Sequence, residues 1–250
     1  MDTDIDALLP AGARQALDRA AGKPLSFVVR YLLSPGPRPR VLVVLGEAHI
    51  KMGEASDIGR DVVRSFALRG VETFQRDDVV AGRALGHLID APRRLLRAFS
   101  LGAVKGSTIT DAKEIADGHT VELERSDQVP LALHAGSVYL ASMFGVTYAS
   151  MLLGAAGINV PGLKTVANAF SLHLLAGVPA YAMRDRPWAW MMQPALAILT
   201  ARDTLLAQGT VRMLRDHPEP EAAVVVMGRA HVAGYARALV EQHGFVPVAP

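Results

Sequence analysis

The chain has 250 residues, half of them hydrophobic, with 26 basic and 24 acidic side chains for a net charge of +2. That composition supports a sizeable core and excludes a wholly disordered chain, and no Lys/Arg block follows a nucleic-acid-binding pattern. There is no cysteine, so disulfides, thiol nucleophiles and thiolate metal sites are excluded, and any metal has to be held by His, Asp or Glu.

The first forty residues read as a short amphipathic helix or two and a linker, closed by "SPGPRPR" at 34–40, where proline and glycine interrupt regular structure. The acidic start "MDTDIDALLPAGARQ" lacks the basic-then-apolar pattern of a secretion signal, so a cytoplasmic or membrane-associated location is expected. "VLVVL" (41–45) is a continuous apolar run that fits a strand buried on both faces. It runs into "GEAHI", which places Gly46, Glu47 and His49 just beyond the strand. "SDIGRDVVRSFALRG" (56–70) follows with helical spacing, Ser56 or Asp57 as its cap and Gly70 as its stop. "VETF" (71–74) then reads as a second short strand carrying Glu72.

Residues 82–104 and 106–118 have helical character, the second segment with Thr110 or Asp111 as cap, and 121–137 is ambiguous. The middle is apolar. No charged side chain occurs from Gln128 to Leu163, nor from Thr165 to Met183. The runs 139–160 and 165–183 are long enough to cross a bilayer and return, and equally suit packed helices of a soluble cap. "ILTARDTLLAQGTVRML" (198–214) is a further helix, with Arg202 and Asp203 near its start. The end of the chain repeats the grammar of the beginning: "AVVVMGRAHVAGY" (223–235) has a strand, Gly228 and His231, then a helix to about 242, Gly244 and "FVPV". Two such units predict a mainly parallel sheet flanked by helices, with residues 41–250 as one α/β domain interrupted by a helical insertion at about 128–195.

In open parallel sheets ligands bind beyond the C-terminal strand ends, where both Gly-x-x-His motifs fall. His49, His231 and the carboxylates Glu47 and Glu72 form a plausible N/O set for Mn, Co or Zn. Such an ion would lower the pKa of water and polarise a carbonyl or phosphoryl oxygen. Arg202 suits an anionic group or developing oxyanion, and Asp203 is a candidate to orient Arg202 or the water. A lone histidine after a strand is more often a turn or cap residue; the repetition is what favours a site. "GAVKGST" (102–108) lacks the full phosphate-loop spacing and a preceding strand. No organic cofactor is expected.

"LGEAHI", "RGVETF", "ARDTLL" and "VVVMGRAHVAGYARAL" resemble the TraB/PrgY–Tiki group within the wider superfamily of GumN, ChaN and erythromycin-esterase-like proteins. That group is characterised by two Gly-x-x-His motifs, a glutamate ending the intervening strand and an arginine-containing helix motif, matched here by His49, Glu72, Arg202 and His231 over about residues 41–248. Glu47 matches the Gly-Glu-x-His variant of the ChaN and esterase-like branches, where TraB-like members commonly have threonine. The helix motif reads Arg-Asp where Arg-Asn is commoner, and the apolar stretch precedes the second histidine instead of following it. The resemblance implies a metal-dependent hydrolase acting on a peptide, amide or ester bond. Its site would have His49, His231 and Glu47 or Glu72 as ligands, the other carboxylate as general base and Arg202 stabilising charge. The alternative is a non-catalytic regulator binding haem, peptide or metal, with membrane contact through 128–195. No residue specifies the oligomeric state or distinguishes a peptide from a small ester or amide.

Overall fold

The sheet is built from segments scattered along the whole chain. The computed structural model describes every residue except 1–4, 49–50, 53, 74–77, 101–103, 106, 125–128, 184–185, 187–188 and 250. In chain order the elements are α1 (Ile5–Leu8), α2 (Ala13–Ala21), β1 (Phe27–Leu33), β2 (Val41–Glu47), β3 (Lys51–Met52), α3 (Glu54–Arg64), β4 (Leu68–Val71) and α4 (Gly82–Phe99). They continue with β5 (Val104–Lys105), α5 (Thr108–Glu114), β6 (His119–Glu122), α6 (Leu131–Ala155), α7 (Leu163–Ala182) and α8 (Ala189–Met192). The last are α9 (Leu196–Asp216), β7 (Ala222–Gly228), α10 (Val232–His243) and β8 (Val246–Val248). Two units emerge: residues 1–73, 96–126 and 203–250 form one, and 74–95 with 127–202 the other.

The first unit holds a six-stranded mixed sheet in the order β6-β4-β7-β2-β1-β8. Strands β6, β4, β7 and β2 are parallel, and β1 runs antiparallel to both β2 and β8. β3 and β5 form a separate two-stranded ladder. Every residue of β2 and β7 is buried, which explains why both read as unbroken apolar runs: each face of the pleat meets helices. Val41, Val43, Leu45, Val224 and Val226 pack with Leu17 of α2, Ile58, Val62 and Val63 of α3, and Ile109 of α5. The alternate residues Leu42, Val44, Val225 and Met227 pack with Leu206 and Met213 of α9 and Tyr235 and Leu239 of α10. Truncating one such leucine to alanine is expected to cost about 2–5 kcal/mol, because a close-packed interior relaxes only partly into the space.

Several boundaries differ from the sequence expectation. Phe27–Leu33, placed within a helical segment and linker spanning residues 1–40, is β1 and pairs along the full length of β2. Its burial follows no strict alternation, so the period-two signal of a half-buried strand is weak. The helix expected to run from Ser56 or Asp57 to Gly70 is α3, which begins at Glu54 and stops at Arg64. Gly70 lies inside β4, where a Cβ would come within 3.0 Å of Leu123 and Val225 side chains. It serves close packing across the strand and not a helix end. The strand expected at 71–74 is accordingly shifted to Leu68–Val71, and Glu72 stands one residue beyond it. Ser107, not Thr110 or Asp111, caps α5, its hydroxyl accepting from the Thr110 N–H. Gly244 does end α10 in the left-handed conformation, φ 72°, but the strand after it pairs antiparallel with β1 at the sheet edge.

Arg69 ties β4 to its surroundings. Its fully buried guanidinium donates to the Val63, Phe66 and Asp117 carbonyls and to the Thr120 hydroxyl. Burial lowers its pKa, as expected for a cation withdrawn from water.

The second unit is helical. α6 and α7 pack along one another, and α8 packs on both. Gly136 of α6 lets the Pro194 carbonyl approach where a Cβ would come within 2.6 Å. Gln193 is buried and donates to the His173 carbonyl. This unit joins residues 127–202 with 74–95, the expectation having been an insertion at about 128–195.

Candidate active site

The four parallel strands end along one rim, and each delivers an ionisable residue to it. Glu47 is the last residue of β2, Glu72 follows β4, Glu124 lies two residues past β6, and His231 lies three past β7. The register aligns Glu47 with Gly228 and Val71 with both Val226 and Glu122, so these positions stand side by side where ligands of parallel sheets bind.

The turn after β7 is held by its backbone. Arg229 N–H donates to the Glu47 carbonyl, His231 N–H to the Gly228 carbonyl, and Tyr235 N–H to the His231 carbonyl, starting α10. Gly46 permits this approach from within β2. A Cβ there would meet Val232 Cγ2 at 2.3 Å and Arg229 Cα at 3.1 Å. Its role is close packing beneath the turn.

His231 occupies the N-cap position of α10, yet its side chain makes no capping bond. The imidazole instead meets Asp203 of α9, Nδ1 lying 2.7 Å from Oδ1. With Asp203 ionised and the ring neutral, Nδ1–H donates and the Nε2 lone pair is left as the ligating or accepting atom. Nε2 faces the Glu72 carboxylate at 4.0 Å. His231, Asp203 and Glu72 are all buried. The approach of Asp203 depends on Gly234, where a Cβ would fall 1.8 Å from Oδ2. The "HVAG" run therefore reads as a ring-presenting turn followed by a helical position that must lack a side chain.

Two other carboxylates have defined backbone partners. Glu47 Oε2 accepts from Thr108 N–H at 2.8 Å, in the first turn of α5, and Glu124 Oε2 accepts from Thr73 N–H at 2.7 Å. Both are completely buried. Arg202 is buried one position before Asp203 in α9. Adjacent helical residues project about 100° apart, and Arg202 groups with the helical unit while Asp203 groups with the sheet. Of the expected site residues, Glu72 and His231 are brought together, Glu47 lies on the same rim against α5, and His49 lies outside the described residues. Asp203, only a secondary candidate in the sequence, is the immediate partner of His231. Glu124 was not anticipated. Its signal was weak: a carboxylate just past the end of a short, half-buried strand in an ambiguous stretch.

The donor chemistry suits a divalent ion. An imidazole nitrogen and a carboxylate oxygen face each other, and a second carboxylate holds the far ring nitrogen. Two ~2.1 Å bonds at a tetrahedral angle need donors about 3.4 Å apart, so one side chain has to move by roughly half an ångström. Among the described residues no group of three or more His, Asp or Glu side chains is already arranged around a common ion position.

The chain matches no protein-family model, no characterised protein and no solved structure.

Proposed function

We propose that the chain is a metal-dependent hydrolase, akin to the TraB/PrgY–Tiki group, that cleaves a peptide, amide or ester bond. The observation that carries this reading is His231. Asp203 fixes its Nδ1, and its Nε2 faces Glu72 at 4.0 Å at the C-terminal rim of the parallel strands. A histidine that only capped α10 would not need a buried carboxylate on each side.

In this reading the two strand–Gly-x-x-His–helix units supply His49 and His231, which hold the ion together with Glu72. The ion, Mn, Co or Zn, supplies Lewis acidity, lowering the pKa of water and polarising the scissile carbonyl. Asp203 keeps Nδ1 protonated and the ring oriented, so that Nε2 remains a donor. Glu47, steadied through one oxygen by Thr108 N–H, takes the proton from the attacking water and returns it to the leaving amine or alkoxide.

The test is hydrolysis of a broad fluorogenic peptide and ester panel after chelation and re-addition of Mn, Co or Zn. Restored turnover that His231→Ala, His49→Ala and Glu72→Gln each reduce to background supports the assignment. A chain that binds the ion but turns over nothing in the panel is a regulatory binding protein for metal, peptide or haem instead.

A further inference from the structure

We infer that α6 and α7 form a helical hairpin that enters a lipid bilayer and returns to the side it came from. α6 is the one helix among the described residues that is long and apolar enough to cross a membrane. Its 25 residues span about 37 Å and the 20 of α7 about 30 Å at 1.5 Å per residue, against a hydrocarbon layer of about 30 Å.

Exposure separates this hairpin from a core helix. Only Leu133, Gly136, Ser137 and Met143 of α6 are buried, while Leu131, Met151 and Leu152 of α6 and Leu172 and Leu175 of α7 are each more than 60% exposed. A helix that docks on a protein shows one apolar stripe and a charged or polar opposite face. α6 has no charged residue on any face. An apolar surface all round calls for lipid, and for that reason a second copy of the chain, which would cover one face, is the weaker occupant.

Three polar side chains of the hairpin have partners within the helical unit, as a low-dielectric surrounding favours. Tyr139 of α6 and His173 of α7 share a hydrogen bond at 2.8 Å, and His173 Nε2 lies 3.1 Å from the Met192 carbonyl. The Ser171 hydroxyl donates to the Ala167 carbonyl one turn back.

Connectivity sets the number of crossings. β2 and β4 precede the hairpin, β7 follows it, and β7 is hydrogen-bonded to both. One crossing would put strands of a single sheet on opposite sides of the membrane, so α7 has to bring the chain back. The link between the helices, residues 156–162, carries no charge, and Lys164 is the only charged side chain from 128 to 183. Arg125, Arg184 and Arg186 flank the two outer ends. This asymmetry places the ends, and with them the sheet, on the cytoplasmic side.

The absence of native cysteine makes the test direct. The full chain, as Ile158→Cys in the link and Glu219→Cys before β7, is expressed in bacteria. Its membranes are washed with alkaline carbonate, and spheroplasts are treated with a membrane-impermeant maleimide. The hairpin requires carbonate-resistant chain. It requires at least ten-fold stronger labelling of Ile158→Cys than of Glu219→Cys in intact spheroplasts, and equal labelling after lysis. Release by carbonate, or equal labelling before lysis, overturns it. Chain that aggregates in cells is made in a cell-free reaction with phosphatidylcholine/phosphatidylglycerol nanodiscs. Recovery with the discs supports insertion, and recovery as disc-free soluble dimer contradicts it and assigns the surface to a second copy.

Discussion

Replacing Gly234 by alanine separates two physical effects of opposite sign. In an unconstrained helix interior the change stabilises by about 0.8–1.0 kcal/mol, because glycine loses more backbone entropy on folding. Here the new Cβ would lie 1.8 Å from Asp203 Oδ2 and 2.8 Å from its Cγ. Ordinary contact needs about 3.5 Å, so the carboxylate has to recede by about 1.5 Å. That stretches the 2.7 Å bond to His231 past the ~3.5 Å at which it ceases to count as one. A hydrogen bond to a charged group is worth about 1.5–3 kcal/mol, so the net effect is a loss of about 0.5–2 kcal/mol. In an Asp203→Ala background the obstruction is gone and Gly234→Ala should stabilise by up to about 1 kcal/mol. Urea pulse proteolysis of the full-length single and double variants reads both signs. If Gly234→Ala stabilises the otherwise unaltered chain, Asp203 is not held against α10 as described.

Arg69→Met removes the guanidinium donors to the Val63, Phe66 and Asp117 carbonyls, of which Val63 keeps the Phe66 N–H. It should cost more than about 3 kcal/mol in the same assay, since each stranded buried acceptor costs about 1–3 kcal/mol. Gly46→Ala drives a methyl group into Val232 and should destabilise by about 1–3 kcal/mol, the usual cost of overpacking; a neutral result would mean that α10 is not seated on β2. Tyr235 is fully buried and shares a 2.7 Å hydrogen bond with Thr210, and burial raises its pKa. Its neutral form is the native one, so its contribution is complete below the unfolded tyrosine pKa of about 10 and is lost as pH rises toward the native value. Tyr235→Phe should therefore cost about 1 kcal/mol at neutral pH and flatten the decline in stability above pH ~10, as followed by unfolding midpoints across the alkaline range.

What the sequence made legible was the doubly covered part of the sheet. "VLVVL" and "AVVVMG" could be read as strands because burial on both faces demands unbroken apolar runs, and they are neighbours in the structure. β1 was hidden because a strand near the edge, with Arg30 exposed in its middle, has neither that run nor a clean alternation. The ends of α3 and β4 were misplaced because a glycine following a helical pattern reads as a stop, whereas Gly70 is small for the sake of Leu123 and Val225. In the candidate site His231 and Glu72 were found by their positions after strands. Asp203 was underweighted because a carboxylate inside a helix resembles any solvated one, and only the fold shows that Gly234 has cleared space for it. Glu47 was expected to share in the chemistry, and one of its oxygens accepts from Thr108 N–H of α5.

The central claim is that His231 and Glu72 bind a divalent ion through a ring oriented by Asp203, and ion affinity tests it without reference to any substrate. Calorimetric titration of the chelated full-length protein with Mn, Co and Zn should show one site per chain. Asp203→Asn should weaken it about 10–100-fold, and His231→Ala and Glu72→Gln should abolish it while the fold survives by pulse proteolysis. Unchanged stoichiometric binding by folded His231→Ala or Glu72→Gln would contradict the account.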